Sequence, residues 1–352
     1  MLRVAIIGAG NVGRIRASLI QHTPDCCLEI VADVDEAHAQ DLAQSFGAES
    51  TTDCIAASSA SNVDVVLICT PTKFHAQAAK NALQHGKHVL CEKPLARSAA
   101  EAQEMVVAAA RARRILKTGF NYRHMAHVRK AKELLDAGAL GELYFVRCRY
   151  GHGGRPGYEQ SWCTDLDLSG GGVLLEQGIH ILDLVRHLLG EPTQVLAQAT
   201  LFFWNFPAVE DNCFVLLRTA SSQVAQLHVS WTQWINIFSF EIFGHDGYLS
   251  LTGRDRHYGP QQLIWGQRQK NHSRPIEQWF NFPPPDDSWE REWTEFLSAI
   301  RNNREPMESA VDGLQALHVV DAAYQSARNQ QWVDVPQLIR NGTDDDRYKD
   351  AL

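Results

Sequence analysis

The segment VAIIGAGNVGRI, Val4 to Ile15, sets three glycines in the pattern GxGxxG between a short apolar run and an amphipathic one. A glycine triplet alone is weak evidence, but between a strand pattern and a helix pattern it has a mechanical reading. Gly8 allows the tight turn, Gly10 the close approach of a pyrophosphate, and Gly13 the contact of helix with strand. Asn11 and Val12 open the helix, where unpaired N–H groups favour an anion. The spacing predicts a dinucleotide site built from Gly8, Gly10, Asn11, Val12 and Gly13. The plain alternative is a tight turn that binds nothing.

The following hundred residues support the dinucleotide. Apolar runs rich in Val and Ile recur at LRVAIIG, LEIVADV, VDVVLICT, KHVLCE and RILKTG, with amphipathic stretches between them. In SAAEAQEMVVAAARARR, Ser98 and Glu101 form a capping box. Continuously apolar strands alternating with helices predict an α/β unit with a doubly wound parallel sheet. Asp33 ends the second strand, 20 residues past Gly13, where a carboxylate can bond the adenosine ribose. It repels a 2′-phosphate, and neither Val34 nor Asp35 is basic, so NAD is expected over NADP. CTPTKFH (Cys69 to His75) and HVLCEKPLA (His88 to Ala96) place residues at carboxyl ends of parallel strands, where such sheets bind ligands. Thr70, Pro71, His75, Glu92 and Lys93 join the cofactor candidates.

After Gly119 the texture changes. HMAHVRKAKELLDAG reads as a helix ending at Gly138. Longer alternating strands follow at LYFVRCRYG, QVLAQATLFFW, CFVLLRT, QVAQLHVSWTQW and FSFEIFG, and predict an antiparallel sheet. Eight of the nine tryptophans lie beyond residue 200. An aromatic-rich sheet face packs on helices or between subunits, so a homo-oligomer, dimer or tetramer, is expected through this sheet. Residues 1–121 are expected to bind the dinucleotide and 122–337 to form the substrate and oligomer domain. The stretch 338–352 reads as a solvated tail.

Within the second half, SGGGVLLEQGIHILDLVRHLLG sets Glu176, His180 and Asp183 at steps of four and three, on one face of a largely apolar helix. An imidazole flanked by carboxylates suits proton transfer near neutral pH. Glu176 could bond a substrate hydroxyl or steady the imidazolium, and Asp183 could hold the ring from behind. A core histidine satisfied by its neighbours is the alternative. Gly170, Gly171 and Gly172 are expected to leave room and free N–H groups for a ligand, and His187 to pack. No HExxH or CxxC supports a metal there. Arg155, Tyr158, Trp162 and Asp165, in the glycine-rich loop before this helix, combine aromatic and polar groups suited to a hydroxylated ring. Tyr122 and Arg123 are further candidates for the same cleft.

A net charge of -8 with scattered basic residues gives no argument for nucleic acid. No apolar run approaches the ~20 residues that span a bilayer, and the N-terminus lacks a signal-peptide layout. The eight cysteines contain no CxxC pair and read as reduced, small apolar residues of a cytoplasmic protein.

On these motifs the chain resembles the Gfo/Idh/MocA oxidoreductases, the family of glucose–fructose oxidoreductase and inositol dehydrogenase. The resemblance runs from GAGNVG to about Val335, through CEKPLA, SGGGVLLEQGIHILD and SAVDGLQALHVVDAAYQSA. It implies an N-terminal Rossmann domain and a C-terminal α/β domain with a large open antiparallel sheet. It implies that Lys93 touches substrate hydroxyl and cofactor, and that His180 is the general acid/base. The residue four before that histidine is commonly Asp; here Glu176 keeps the carboxylate and changes its reach. A Trp-Arg pair often precedes the glycines; here it is Trp162–Cys163, so the motif supplies no cation for a charged substrate. The implied activity is hydride transfer between NAD and a secondary alcohol of a sugar, cyclitol or sugar derivative. Two rivals share these residues. One is a closed-cycle enzyme that keeps its cofactor, as a sugar–sugar oxidoreductase or redox-assisted glycosidase does. The other is a non-catalytic dinucleotide sensor, against which the retention of Lys93 and His180 argues.

Overall fold

The computed structural model describes residues 1–271 and 273–337; the expected tail at 338–352 lies outside the described residues. The chain forms two compact units. The first holds Met1–Phe120 and Glu292–Leu317, the second Asn121–Arg291 and His318–Gln337. This differs from an uninterrupted domain over 122–337, because residues 292–317 fold with the first unit. In the helix Ser288–Arg301, residues Trp293, Phe296, Leu297 and Ile300 follow the spacing i, i+3, i+4, i+7 and join the parallel-sheet core. Periodicity identifies such an apolar stripe but not the sheet it covers.

In the first unit, strands β1 (Leu2–Ile7), β2 (Cys26–Ala32), β3 (Glu49–Thr51), β4 (Val65–Ile68), β5 (His88–Glu92) and β6 (Leu116–Gly119) pair in the order β3-β2-β1-β4-β5-β6. All pairings are parallel. The order reverses between β1 and β4, which makes that gap the topological switch point. Val4, Ile6, Val31, Val65, Leu67 and Leu90 fill the core with Trp293 and Phe296. The indole N–H of Trp293 donates to Thr23 Oγ1 at 3.0 Å, so the ring is buried without an unpaired donor. Emptying that position would cost about 3–5 kcal/mol.

In the second unit, β7 (Leu143–Gly151), β8 (Pro192–Thr200), β9 (Asn212–Thr219), β10 (Val224–Ser230), β11 (Ile237–Gly244), β12 (Gly247–Thr252), β13 (Gln261–Gln267), β14 (Ile276–Phe282) and β15 (Val333–Asp334) form one sheet. Its order is β14-β13-β12-β11-β7-β10-β9-β8-β15. The sheet is antiparallel as expected except for β7 and β10, which are parallel. A half-buried strand alternates in the same way whichever direction its neighbour runs, so the sequence carries no signal for that pair. The run QVLAQATLFFW stops pairing at Thr200; the N–H groups of Phe202, Phe203 and Trp204 donate instead to the Asp211 carboxylate.

One face of this sheet is buried through Val146, Cys148, Tyr150, Leu227, Phe238 and Phe240. The helix Ile179–Leu188 packs on it beside β7. The opposite face carries Phe145, Phe214 and Trp279, which are 39%, 42% and 54% exposed. No helix among the described residues is long and apolar enough to cross a membrane.

Candidate functional site

At the end of β1 the backbone turns at Gly8, with φ at 104°. A Cβ there would lie 2.6 Å from the carbonyl oxygen of Cys69, so only glycine fits this close approach. Gly13 is equally closed, its missing Cβ falling against the Gly8 carbonyl. Gly10 differs, because a Cβ there meets no heavy atom within 4 Å. Gly10 and Asn11 are exposed and Val12 half-buried. The helix Asn11–Gln21 has neither a side-chain cap nor an acidic residue in its first turn, which leaves its first N–H groups open to an anion. The Asp33 carboxylate accepts from the N–H groups of Ala9 at 2.7 Å and Asp35 at 3.0 Å. It is thereby fixed beside the glycine loop and keeps lone pairs for hydroxyl donors. Thr70, followed by the half-buried Pro71, holds a buried Oγ1 with no hydrogen-bond partner among the described residues. The open space at Gly10, the uncapped helix and this orphaned hydroxyl all fit a bound dinucleotide.

His75 and Glu92 do other work than the expected cofactor contact. The His75 ring lies 2.9 Å from the Pro94 oxygen through Nδ1 and 2.9 Å from the Thr70 oxygen through Nε2. Burial holds its pKa below the ordinary value. Both nitrogens face backbone carbonyls, so the ring ties the Thr70 loop to the EKP turn and presents neither to a cofactor. Glu92 turns inward: its Oε1 accepts from Arg16 Nε at 3.0 Å and Nη2 at 2.6 Å. Arg16 also meets Glu292 at 2.6 Å. Lys117, on β6, pairs with Glu295 at 2.8 Å and with Glu308. Lys93 follows directly, half-buried at the end of β5. The network thus grips the strand end from which Lys93 projects.

The helix that carries His180 starts in a closed setting. Gly171 N–H reaches Ser169 Oγ at 3.4 Å, Gly172 N–H the Tyr324 hydroxyl at 3.2 Å, Val173 N–H the Glu210 carbonyl at 3.1 Å and Leu174 N–H the Glu210 carboxylate at 2.9 Å. The room and free N–H groups expected at Gly170 to Gly172 are therefore taken by the protein itself. A helix start packed inside a protein must satisfy its orphan donors internally. Burial raises the pKa of Glu210, and Asp165, expected in the substrate loop, caps the short helix Leu166–Ser169. Residues Leu174–Gly178 then form a π-helical turn, a widening often found at functional sites, before the helix Ile179–Leu188.

The three polar residues do not share one environment. Glu176 sits on the wide turn, half-buried, with Tyr150, His152, Tyr158 and Tyr258 in its electrostatic field. His180 is 6% exposed, and its ring stacks on Tyr122 at 3.8 Å and 5°. Asp183 is fully buried and takes a two-pronged bond from Arg123, Nε at 2.8 Å and Nη2 at 2.6 Å. Asp183 and Arg123 thus form a buried ion pair.

Tyr122 joins His180 to a cluster that the sequence did not reveal. Its hydroxyl lies 2.5 Å from that of Tyr150 and accepts from Arg254. Burial holds the Tyr122 hydroxyl above its ordinary pKa, with Arg254 pulling the other way. The Arg254 guanidinium is 5.2, 5.8 and 4.7 Å from the ring centres of Tyr122, Tyr150 and Tyr258. These residues come from four separate stretches of chain, and no local pattern links them. Of the loop candidates, Tyr158 is buried in a cage of His152, Trp204, Phe206 and Trp231, Arg155 is exposed, and Trp162 is 38% exposed.

Two family models match the chain: an oxidoreductase family with an NAD-binding Rossmann fold over residues 2–120, and the GFO/IDH/MocA C-terminal domain over residues 128–250. The chain belongs to the Gfo/Idh/MocA oxidoreductases. Its first unit is an NAD-binding Rossmann unit, and the protein is an NAD-dependent oxidoreductase. It is 28% identical over 349 residues to inositol 2-dehydrogenase of Rhizobium meliloti (strain 1021), covering 95% of this chain and 99% of that protein. It superposes on levoglucosan dehydrogenase in complex with NADH with a TM-score of 0.86 at 27% identity, covering 96% and 99% of the two chains. An aldose-aldose oxidoreductase from Caulobacter crescentus, complexed with glycerol, superposes with a TM-score of 0.83 at 26% identity, covering 95% and 99%.

Proposed function

We propose that this protein oxidises a secondary hydroxyl of a sugar, cyclitol or sugar derivative, with NAD as the acceptor. The observation that carries this reading is the His180 imidazole, 6% exposed and stacked flat on Tyr122. A ring so placed keeps one orientation and sheds most of its water, as a base that removes a hydroxyl proton requires. NAD, when bound, supplies the hydride acceptor. His180 takes the hydroxyl proton; the Lys93 ammonium orients the same oxygen and stabilises its developing negative charge. Glu176 bonds a neighbouring hydroxyl, and the Arg123–Asp183 pair holds the histidine helix in place. Gly8, Gly10, Asn11, Val12 and Gly13 receive the pyrophosphate, Thr70 and Pro71 line the switch point, and Asp33 takes the adenosine ribose. Asp33 also disfavours a 2′-phosphate, so NAD should bind at least about tenfold more tightly than NADP; the reverse order would remove Asp33 from this role.

The deciding experiment follows reduced-nicotinamide absorbance when protein and NAD meet free sugars, inositols, sugar acids, sugar phosphates and nucleotide sugars. A signal with one class, lost in Lys93→Ala, supports the dehydrogenase and names its substrates. Silence across the panel with NAD bound counts against it. The likeness to an aldose-aldose oxidoreductase favours a second reading, a closed cycle in which the cofactor stays bound; cofactor surviving purification would support that form. We further infer a homo-oligomer through the open sheet face, where Phe145 stacks on Phe243 at 4.6 Å and Phe214 is also exposed, with a monomer in sedimentation as the contrary result. A cytoplasmic location accords with eight free cysteines.

A further inference from the structure

Arg254 stands apart from the buried arginines. Arg16 faces Glu92 and Glu292, Arg123 faces Asp183, and Arg186 faces Glu191 at 2.7 Å. Arg254 is half-buried, makes no ion pair among the described residues, and holds a buried Nε without a hydrogen-bond partner. Its guanidinium is surrounded by the rings of Tyr122, Tyr150 and Tyr258 and donates to the Tyr122 hydroxyl. Aromatic faces attract a cation, but they carry no negative charge and cannot engage the donors of the fork in its plane. A guanidinium taken from water is ordinarily met by a carboxylate or phosphate in that plane.

The backbone that delivers it is strained. Asp255, next in the chain, has φ 59° and ψ -178°, a region almost confined to glycine, and Arg256 follows at φ 50°. Strain of this kind persists where the surrounding structure holds a functional group in a set place. The turn Gly253–Gly259 closes through bonds from the N–H groups of Arg254 and Asp255 to the Gly259 carbonyl, at 3.1 and 2.7 Å. It brings Arg254 and Tyr258 together within one ring of His180, since the same Tyr122 that Arg254 contacts is the one on which His180 stacks.

We propose that Arg254 is the specificity-determining residue of the substrate-binding unit, and that it receives an anionic oxyacid group, the carboxylate of a sugar acid or the phosphate of a sugar phosphate, on the substrate whose hydroxyl faces His180. This rests on the dehydrogenase reading above.

The test compares kcat/KM with NAD for glucose, glucuronate and glucose 6-phosphate, and for galactose and galacturonate, in wild type, Arg254→Met and Arg254→Lys. The expected result is an anionic sugar preferred over its neutral parent by about 100-fold. That preference should shrink to within about threefold in Arg254→Met and survive in part in Arg254→Lys. The uronate and phosphate arms decide which anion is meant. Neutral and anionic sugars turned over alike by wild type would overturn the proposal and leave the dehydrogenase standing, as would an anion preference that Arg254→Met does not change. If no sugar is oxidised, calorimetry of glucuronate and glucose 6-phosphate with the NAD-loaded protein takes over. Binding lost in Arg254→Met, or weakened in Arg254→Lys should the first variant not fold, supports the anion site while the dehydrogenase reading fails; no binding, or binding that the variants leave unchanged, overturns it.

Discussion

Arg16 is buried and Arg254 half-buried, and the two units treat their charges in opposite ways. Arg16 is gripped by two carboxylates, in a network that also neutralises Lys117 with Glu295 and Glu308. Among the described residues, the Arg254 guanidinium meets the rings of Tyr122, Tyr150 and Tyr258 and no carboxylate. The first arrangement pairs its charge within the protein, and its effect is mechanical: it ties the helix that opens at the glycine loop to the strand that ends at Glu92, one residue before Lys93. The second is incomplete in the protein alone. A buried charge that the chain pairs for itself is scaffold; the anion site proposed above rests on a charge that meets no carboxylate among the described residues.

Arg16→Met should produce the largest effect. It leaves Glu92 and Glu292 buried without their cation, and breaking such a pair by removing one partner costs about 3–5 kcal/mol. Urea unfolding measures this, and a loss under about 1 kcal/mol would break the comparison at its scaffold end. Arg254→Met strands no carboxylate, so stability should change by no more than about 1 kcal/mol. A loss as large as that of Arg16→Met would make Arg254 scaffold as well. Asp211 extends the comparison to carboxylates and carries the smallest effect. Burial alone would raise its pKa, but the Asn212 side chain and the N–H groups of Phe202, Phe203 and Trp204 outweigh that and hold it below the ordinary aspartate value. A depressed folded pKa contributes stability above the unfolded value that is lost as pH falls through the folded one. Asp211→Asn should therefore flatten the loss of stability below about pH 4. An unchanged acid limb in pH-dependent unfolding would count against it.

What could be read from the sequence divides along the same line. The glycine loop, Asp33 and five of the parallel strands announce themselves because each is a local pattern of a few residues. β3, with three residues, is too short to show a period, and β12, β13 and β14 passed unrecognised in the chain beyond FSFEIFG. The spacing of Glu176, His180 and Asp183 was visible, but not their partners. Asp183 meets Arg123 from 60 positions away, and Arg254 meets Tyr122 from 132. The π turn at Leu174–Gly178 likewise depends on what surrounds the helix start, chiefly Glu210 and Tyr324, and not on the residues within it. Periodicity names a face; only the fold names what that face meets.

The central claim is that His180 moves the proton, and it is best tested on His180→Ala. Turnover of the best substrate in the panel and thermal unfolding should be measured on one preparation. A fall in kcat/KM of at least about 100-fold is expected, the usual scale for an acid–base group, in a protein that still unfolds cooperatively and binds NADH. Near-normal turnover would contradict it and return His180 to the core as a packed histidine.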